Sequence, residues 1–345
     1  MRRLRFHWLF LAGAALVPVI EALFPHERHL GELLRPVFIM AILALGLNIL
    51  TGFTGILNLG VAAFMAIGAY SYAILTCDIY PFQLGFWSAT LLTVAVGLTA
   101  GLCLGLPTIR LRGDYLAIVT LGFGEIVQDV LKNLDVITKG TQGINPLPAP
   151  TVFGYAFTPD RYQPWDYLFL AFLAVVVLLN RNLERSRIGR AWIAIREDEL
   201  AAACMGVNPM KMKLLAFSLG AAQAALAGAL WAASLGSSSE PGNYDFQVSV
   251  IALCIVIVGG MGNIGGVLLG ALVMVGFNSI ILETLTDFLK ARGLVSTANV
   301  FTSPGNWKYM CFGFALILMM RFRPEGLLPN KQVQAELHPD RGATK

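Results

Sequence analysis

The stretch RNLERSRIGRAWIAIREDELAAACMGVNPMKMK, residues 181–213, is the longest polar interruption in an otherwise apolar chain. It holds seven of the chain's 25 lysine and arginine residues. Its middle predicts a two-turn helix, because Asp198 can cap the N-terminus and Glu199 would lie in the first turn, where the helix dipole favours an acid. The alanines 201–203 continue the helix.

The end of this predicted helix is marked by Gly206, since glycine commonly terminates helices. Asn208 and Pro209 then predict a turn, and a new apolar helix is expected from Leu214. A short helix with exposed alanines and a charged edge is suited to docking into a groove on a soluble partner. The alternative is a basic loop that only fixes the orientation of the chain in a membrane.

Composition decides the class of protein. Of 345 residues, 56% are hydrophobic and 13% are charged, whereas soluble chains carry about 25% charged residues. The sequence therefore predicts an integral membrane protein of the all-α class, a polytopic bundle of helices. The net charge of +4 comes from basic residues in short loops, which does not indicate a nucleic-acid partner.

The polar residues give no sign of an enzyme. Five cysteines and four histidines show no metal-ligand spacing, and no Gly-x-x-x-x-Gly-Lys-Ser/Thr phosphate loop occurs. A nucleophile paired with a base is not apparent either. We therefore expect no catalytic residues, no metal site and no cofactor.

Apolar runs predict about ten membrane segments, some of them short or broken. A full span needs about 20 residues. A signal peptide is the alternative for the first run, but the chain stays hydrophobic throughout, so we interpret it as a span. We expect one transmembrane domain over 1–331 and a polar cytoplasmic tail over 332–345. The runs are 8–24, 36–51, 55–76, 84–106, 115–131, 165–180, 214–235, 248–259, 264–282 and 307–321.

The basic residues predict the orientation of these segments. If the N-terminus is cytoplasmic, 17 of the 25 lysines and arginines fall on the cytoplasmic side, including the seven of residues 181–213. This agrees with the tendency of positive charge next to membrane spans to remain inside. Both termini and the polar stretch 181–213 are therefore predicted to be cytoplasmic.

Small residues at helical spacing predict close helix packing. Gly97, Gly101 and Gly105 form one such series, and a second begins at Gly220 and ends at Gly228. Such residues let helix backbones approach one another in lipid.

Two glycine-rich breaks interrupt the apolar runs: TGFTGILNLG (51–60) and GGMGNIGG (259–266). One break in each half of a chain is typical of the path through a transporter. Irregular backbone at membrane depth is stable only where protein or a water-filled cavity covers it. Alternatively, both breaks are tight turns at the cytoplasmic ends of helices.

Glu125 is the acidic residue furthest inside an apolar run, within LGFGEI (121–126). A charge at the bilayer centre costs about 2.5–3.5 kcal/mol on insertion scales, so we expect Glu125 to face the bundle interior. No second intramembrane acid or base pairs with it convincingly, which disfavours a proton-coupled carrier. A passive channel is not excluded, although a pore does not need the predicted cytoplasmic helix.

At this point the motifs resemble a known family, the permease subunits of branched-chain amino-acid ABC importers, and among them the LivM type. The resemblance covers nearly the whole chain. It rests on GLNILTGFTGILNLGVAAFMAIGAY (46–70), IRLRGDYLAIVTLGFGEIV (109–127), GRAWIAIREDELAAACMGVNPMKMKLLAF (189–217), GGMGNIGG (259–266) and RPEGLLP (323–329).

The resemblance implies a fold like that of type II-like ABC importer permeases in a bacterial inner membrane. It implies four kinds of partner besides lipid: a second, homologous permease of the LivH type, two ATP-binding subunits, and a periplasmic binding protein that delivers leucine, isoleucine or valine. ATP hydrolysis would then belong to the partner subunits.

The resemblance also assigns site residues. It implies that the coupling helix for the ATPase is formed by Arg190, Arg196, Glu197, Asp198, Glu199, Ala201, Ala202 and Gly206. The local sequence departs from the family's Glu-Ala-Ala-x-x-x-Gly signature, because Leu200 stands where the glutamate is expected. As candidates for the substrate pathway it points to Asn48, Thr51, Thr54, Asn58 and Glu125.

Two outer loops depart from the family pattern, at Thr138–Gly143 and Ser239–Phe246. Both are expected to face the binding protein. Urea, a short amide or another amino acid therefore remain alternative substrates.

Overall fold

The computed structural model describes residues 30–108, 111, 113–152, 155–157, 162–282, 285, 307–323 and 325–328. The first predicted span, 8–24, and the predicted tail, 332–345, lie outside these residues. Five of the described helices are long and apolar enough to cross a membrane. The prediction of an all-α bundle is confirmed, and the strands described are one antiparallel pair of two residues each, Thr151–Val152 with Tyr155–Ala156.

The helices follow one another with short connections. Two of them, α1 and α11, continue into a π-helical turn, at Ile49–Phe53 and Phe277–Leu282 respectively, and short 3-10 turns lie at Gly140–Gln142 and Pro241–Tyr244. The helices are α1 Leu30–Asn48, α2 Val61–Thr76, α3 Phe86–Thr108, α4 Asp114–Asn133, α5 Asp135–Thr138, α6 Tyr162–Arg185, α7 Arg187–Glu197, α8 Glu199–Cys204, α9 Pro209–Leu235, α10 Phe246–Gly259, α11 Ile264–Gly276 and α12 Lys308–Phe322.

Nine of the ten predicted segments coincide with a described helix, but two boundaries were wrong. The run 55–76 is helical only from Val61, because the chain between Thr54 and Gly60 is irregular. The helix expected from Leu214 begins at Pro209. Proline suits the first helical position, because the N–H that it lacks would have no partner within the helix. The side chain of Asn208 caps the helix by accepting from the amide of Lys211.

Helix α9 forms the centre of the bundle, where it packs against α1, α2 and α3. The predicted small-residue contacts are confirmed. Gly97 and Gly101 of α3 lie directly on Ala225 and Ala221 of α9. Gly220 of α9 meets the backbone of α1 at Gly46. The absence of side chains at these places allows dense packing, which replaces the hydrophobic effect as the force that holds helices together in lipid.

One polar pair supports the same packing. The buried side chains of Asn180 in α6 and Gln223 in α9 exchange two hydrogen bonds, each of 3.0 Å. Because both amides are satisfied by each other, neither carries an unpaired polar group into the bundle. The pair fixes the register of α6 against α9.

We predict that Gly228→Ala destabilises the bundle. The added methyl group would clash with the carbonyl oxygen of Met65, which is backbone and cannot rotate away. Overpacking of this kind costs about 1–3 kcal/mol, so the midpoint of thermal unfolding in detergent should fall by several degrees. The control is Gly313→Ala, where an added methyl group meets open space. Equal midpoints for the two variants would contradict the packing argument.

Candidate functional site

Residues 186–209 run from the end of α6 to the first residue of α9 and include α7 and α8. We name them the docking loop after their predicted role. Helix α7 attaches this loop to the bundle. Ser186 caps α7 by accepting from the amides of Ile188 and Gly189. Trp192 is fully buried, stacks on Phe53 at 6.5 Å between ring centroids, and donates its Nε1–H to the carbonyl of Met212 at 2.8 Å. This tryptophan therefore fastens α7 both to the end of α1 and to the start of α9.

A second attachment of α7 is made by Arg196. Its Nη1 donates to the carbonyl oxygen of Gly52 at 2.7 Å, and its aliphatic stem lies against Gly55. A helix end leaves its last carbonyls without intrahelical partners, and a cation there is favoured by the helix dipole. The loop thus contacts the first glycine-rich break directly.

The short helix α8 has the boundaries that its sequence predicts. Asp198 caps it by accepting from the amides of Leu200 and Ala201 at 2.8 and 2.9 Å. Gly206 follows its end with a φ of +87°, a conformation that side chains disfavour. Glu199 pairs with Lys213 of α9 at 2.8 Å. This ion pair holds α8 against the bundle.

The outer surface of α8 is apolar. Leu200 is 76% exposed and Met205 is 85% exposed. They stand beside the exposed Ala201 and Ala203 on a loop that is otherwise polar. An apolar helix face of this kind is one of the recurring elements that dock into a groove on a partner protein.

The residues that the family resemblance assigns to the coupling helix divide into two groups. Arg190, Glu197, Asp198, Ala201 and Gly206 are exposed. Arg196 turns towards the first break, Glu199 pairs with Lys213, and Ala202 is buried under the helix. The latter group lies on the side of the loop that faces the bundle.

The first break is a π-helical turn followed by the irregular segment 54–60. Side chains of two other helices and of the segment itself accept hydrogen bonds from the segment and from the adjoining start of α2. Leu59 donates to Thr120 Oγ1 of α4 at 3.0 Å, and Ala62 donates to Ser249 Oγ of α10 at 3.0 Å. Gly60 donates to Asn58 Oδ1 at 2.9 Å. The second break differs, because it is a tight turn of residues 260–263 between α10 and α11. The first break is therefore irregular backbone covered by protein, and the second is a tight turn between two helices.

Four of the five predicted pathway residues lie at or near the first break, and the fifth, Glu125, borders a cleft that Leu59 and Ala62 also line. Asn48, Thr51, Thr54 and Asn58 are buried at or near the first break. Within the part of the chain that the structure describes, the Oγ1 of Thr51 and the Nδ2 of Asn58 are buried without a hydrogen-bond partner. Thr54 donates to the carbonyl of Leu50 at 2.6 Å.

The prediction that Glu125 faces the interior of this bundle is wrong. Glu125 is exposed on α4, whose inward face instead carries Leu116, Ala117 and Thr120. It borders a narrow cleft whose polar lining includes Gln128, Asp245 and Ser249. The rest of the chain covers only one face of α4, and the side chain of Glu125 lies outside that covered face.

Sequence reasoning missed several residues of this site. The signal for Leu200 and Met205 was an apolar side chain next to charged residues within a polar loop. The signal for Thr120 and Ser249 was weaker, because a hydroxyl in an apolar helix is common. Their role as hydrogen-bond acceptors is visible only in the folded chain, where they receive the amides of Leu59 and Ala62, which are far away in the sequence.

A bundle that contains five helices long and apolar enough to cross a membrane, together with a polar loop at one end, indicates a multi-pass membrane protein. The comparison of sequences makes this class specific. Residues 30–320 match the family described as branched-chain amino acid transport system / permease component, and the chain belongs to this family.

Individual relatives agree. The chain is 39% identical to the high-affinity branched-chain amino acid transport system permease protein LivM of Escherichia coli, over 95% of this chain and 76% of that protein. It is 31% identical to the probable LivM of Methanocaldococcus jannaschii, over 71% of this chain and 68% of that protein. It is 32% identical to LivH of Escherichia coli over 35% of this chain and 38% of that protein. No solved structure matches.

We predict that Lys213→Met loosens α8. The ion pair with Glu199 is largely buried on the lysine side and about a third exposed on the glutamate side, so its loss should cost about 1–2 kcal/mol, between the values for surface and buried pairs. Hydrogen exchange of the amides in residues 199–207 should then become roughly tenfold faster. Lys211→Met, an exposed lysine of the same helix turn, is the control. Exchange that is equally fast in both variants would contradict the assignment.

Proposed function

We propose that this chain is the membrane-spanning subunit of an ATP-driven importer of branched-chain amino acids, with the docking loop and both termini in the cytoplasm of a bacterial cell. The observation that carries the proposal is the exposed apolar surface of Leu200 and Met205 on α8. Such a surface in water is unfavourable unless a partner covers it. In this proposal the partner is an ATP-binding subunit, and membership of the permease family supports that assignment.

The attachment of the loop supports the coupling role. Trp192 and Arg196 connect α7 to the end of α1, and Lys213 connects α8 to α9. A force applied to α8 by a closing pair of ATPases would therefore reach two central helices rather than bend a flexible loop. In this proposal the chain itself hydrolyses nothing and contributes no catalytic residue.

Glu125 supports a second permease beside this one. An exposed carboxylate on a membrane helix is costly in lipid. The same face of α4 carries Gly122, where no atom of the other described elements lies within 4 Å of the position of an added methyl group. Cover by a homologous permease of the LivH type would remove Glu125 from lipid and place its cleft between the two subunits.

This arrangement also suggests how a neutral amino acid passes. Its side chain requires apolar surroundings, whereas its ammonium and carboxylate groups require a few dipoles or charges. The cleft beside Glu125 is narrow, and the carboxylates of Glu125 and Asp245 are the groups that would accept from an ammonium group once it widens. A periplasmic binding protein would deliver leucine, isoleucine or valine to the opposite end of the bundle.

The docking surface is tested by Leu200→Ser combined with Met205→Ser. Loss of anchor residues commonly costs about 2 kcal/mol or more, so the affinity of the solubilised permease pair for the ATP-binding subunits should fall roughly thirtyfold. The control is Leu235→Ser, a half-exposed leucine at the opposite end of α9. Unchanged affinity in the double variant would rule out α8 as the docking surface.

The transport function is tested in proteoliposomes that contain this chain, its LivH-type partner and the ATP-binding subunits, with the binding protein supplied outside. Uptake of labelled leucine should require ATP and every component, because the proposed permease only couples their action. Competition with valine, isoleucine, urea and short amides reports the substrate class. Uptake by this chain alone, without ATP, would instead establish a channel or carrier.

A further inference from the structure

Three segments that are distant in the sequence meet at the end of the bundle that carries the docking loop. They are the end of α1, the turn between α10 and α11, and residues 325–328. We use the term joint for four residues that connect them to the loop: Arg196, Gly52, Asn48 and Gly262. None of the pathway or docking arguments above requires these segments to be connected.

The first contact of the joint transmits the position of the docking loop to α1. Arg196 lies in the last turn of α7 and donates to the carbonyl oxygen of Gly52 at 2.7 Å. Gly52 lies in the π-helical turn that continues α1. A displacement of α7 is therefore applied to the end of α1 through a charged hydrogen bond.

The second contact transmits the position of α1 to the hairpin of α10 and α11. The Oδ1 of Asn48, a residue that is 1% exposed, accepts from the backbone amide of Gly262 at 2.9 Å. The two residues are 214 positions apart in the chain. Gly52 lies immediately beside this hydrogen bond, and a methyl group there would clash with Asn48 and lie 2.6 Å from the amide nitrogen of Gly262.

The hairpin turn is also held from its other side. Leu327 donates to the carbonyl of Val258 at 2.9 Å, and Leu328 donates to the carbonyl of Gly259 at 3.0 Å. The side chain of Asn263 donates in return to the carbonyl of Leu328 at 2.8 Å. Because residues 325–328 brace the turn, a pull on Gly262 moves the whole end of the hairpin instead of deforming the glycine-rich turn.

We propose that Asn48 is a positioning residue, which ties the α10–α11 hairpin to the end of α1 so that the docking loop moves both as one unit. This inference rests on the proposed import function and assigns a role within it. It also removes Asn48 from the substrate pathway, because its amide oxygen is already engaged by Gly262. Ser249, which accepts from the amide of Ala62 at the start of α2 directly after the irregular segment 54–60, lies on the hairpin helix that would move.

The experiment measures the coupling ratio, which is the amount of leucine taken up per ATP hydrolysed by the reconstituted complex. Asn48→Leu keeps the branched shape and the number of side-chain heavy atoms but has no acceptor for Gly262, and its ratio should fall at least fivefold while the complex still assembles. Asn48→Asp retains an acceptor oxygen, and its ratio should stay within twofold of the wild-type value. Gly52→Ala, which forces the two segments apart, should reproduce the effect of Asn48→Leu.

Gly313→Ala is the control for the glycine substitution, since its methyl group meets open space. A proportional loss of uptake and ATP hydrolysis, or failure of both Asn48→Leu and Gly52→Ala to assemble, would show that the contact only stabilises the fold and would overturn the inference. A wild-type ratio in both variants would overturn it as well. Failure of the import proposal itself is recognised separately, because the wild-type complex would then show no ATP-dependent uptake.

Discussion

Backbone amide and carbonyl groups that are buried in an apolar bundle need partners, and this requirement organises the structure around the irregular segment 54–60. A helix satisfies its own backbone, but this segment does not. Its amides and that of the adjoining helix start depend on Thr120 from α4 and on Ser249 from α10. Two helices are thereby fixed to a segment that is remote from them in sequence. The break is thus a point where several helices are held together.

Close packing at small residues gives the surrounding bundle its stiffness. Helix α9 lies against α1 and α3 at positions where glycine allows backbone contact, and the Asn180–Gln223 pair fixes α6 in the same assembly. Interiors packed in this way do not deform gradually, so a displacement at one end moves helices as units. The loop of residues 186–209 is attached to this stiff part by a buried tryptophan and an arginine. Because of that attachment, a force on the six-residue helix α8 would be transmitted to the bundle in the proposed mechanism.

Much of the fold was predictable from local pattern. Apolar runs located nine described helices, and the cap at Asp198 and the end signal at Gly206 located α8 correctly. Helix α7 was not predicted, because its mixture of basic and apolar residues resembles a loop until Trp192 has a partner to stack on. The outward side chain of Glu125 was also missed. Its direction depends on which face of α4 the rest of the chain covers, and no local spacing determines that. The contact between Asn48 and Gly262 likewise depends on tertiary assembly alone.

Two features of the isolated chain are unfavourable on their own, and they lie on different surfaces. Glu125 is exposed on the side of a membrane helix, where only a neighbour in the plane of the membrane can cover it. Leu200 and Met205 are exposed on a polar loop at one end, where the neighbour must be soluble. A single partner does not meet both needs, because one surface requires an apolar companion and the other a water-exposed groove. In the proposed complex two kinds of partner would cover these two surfaces, and Arg196, which joins the docking loop to the first break, would lie between them.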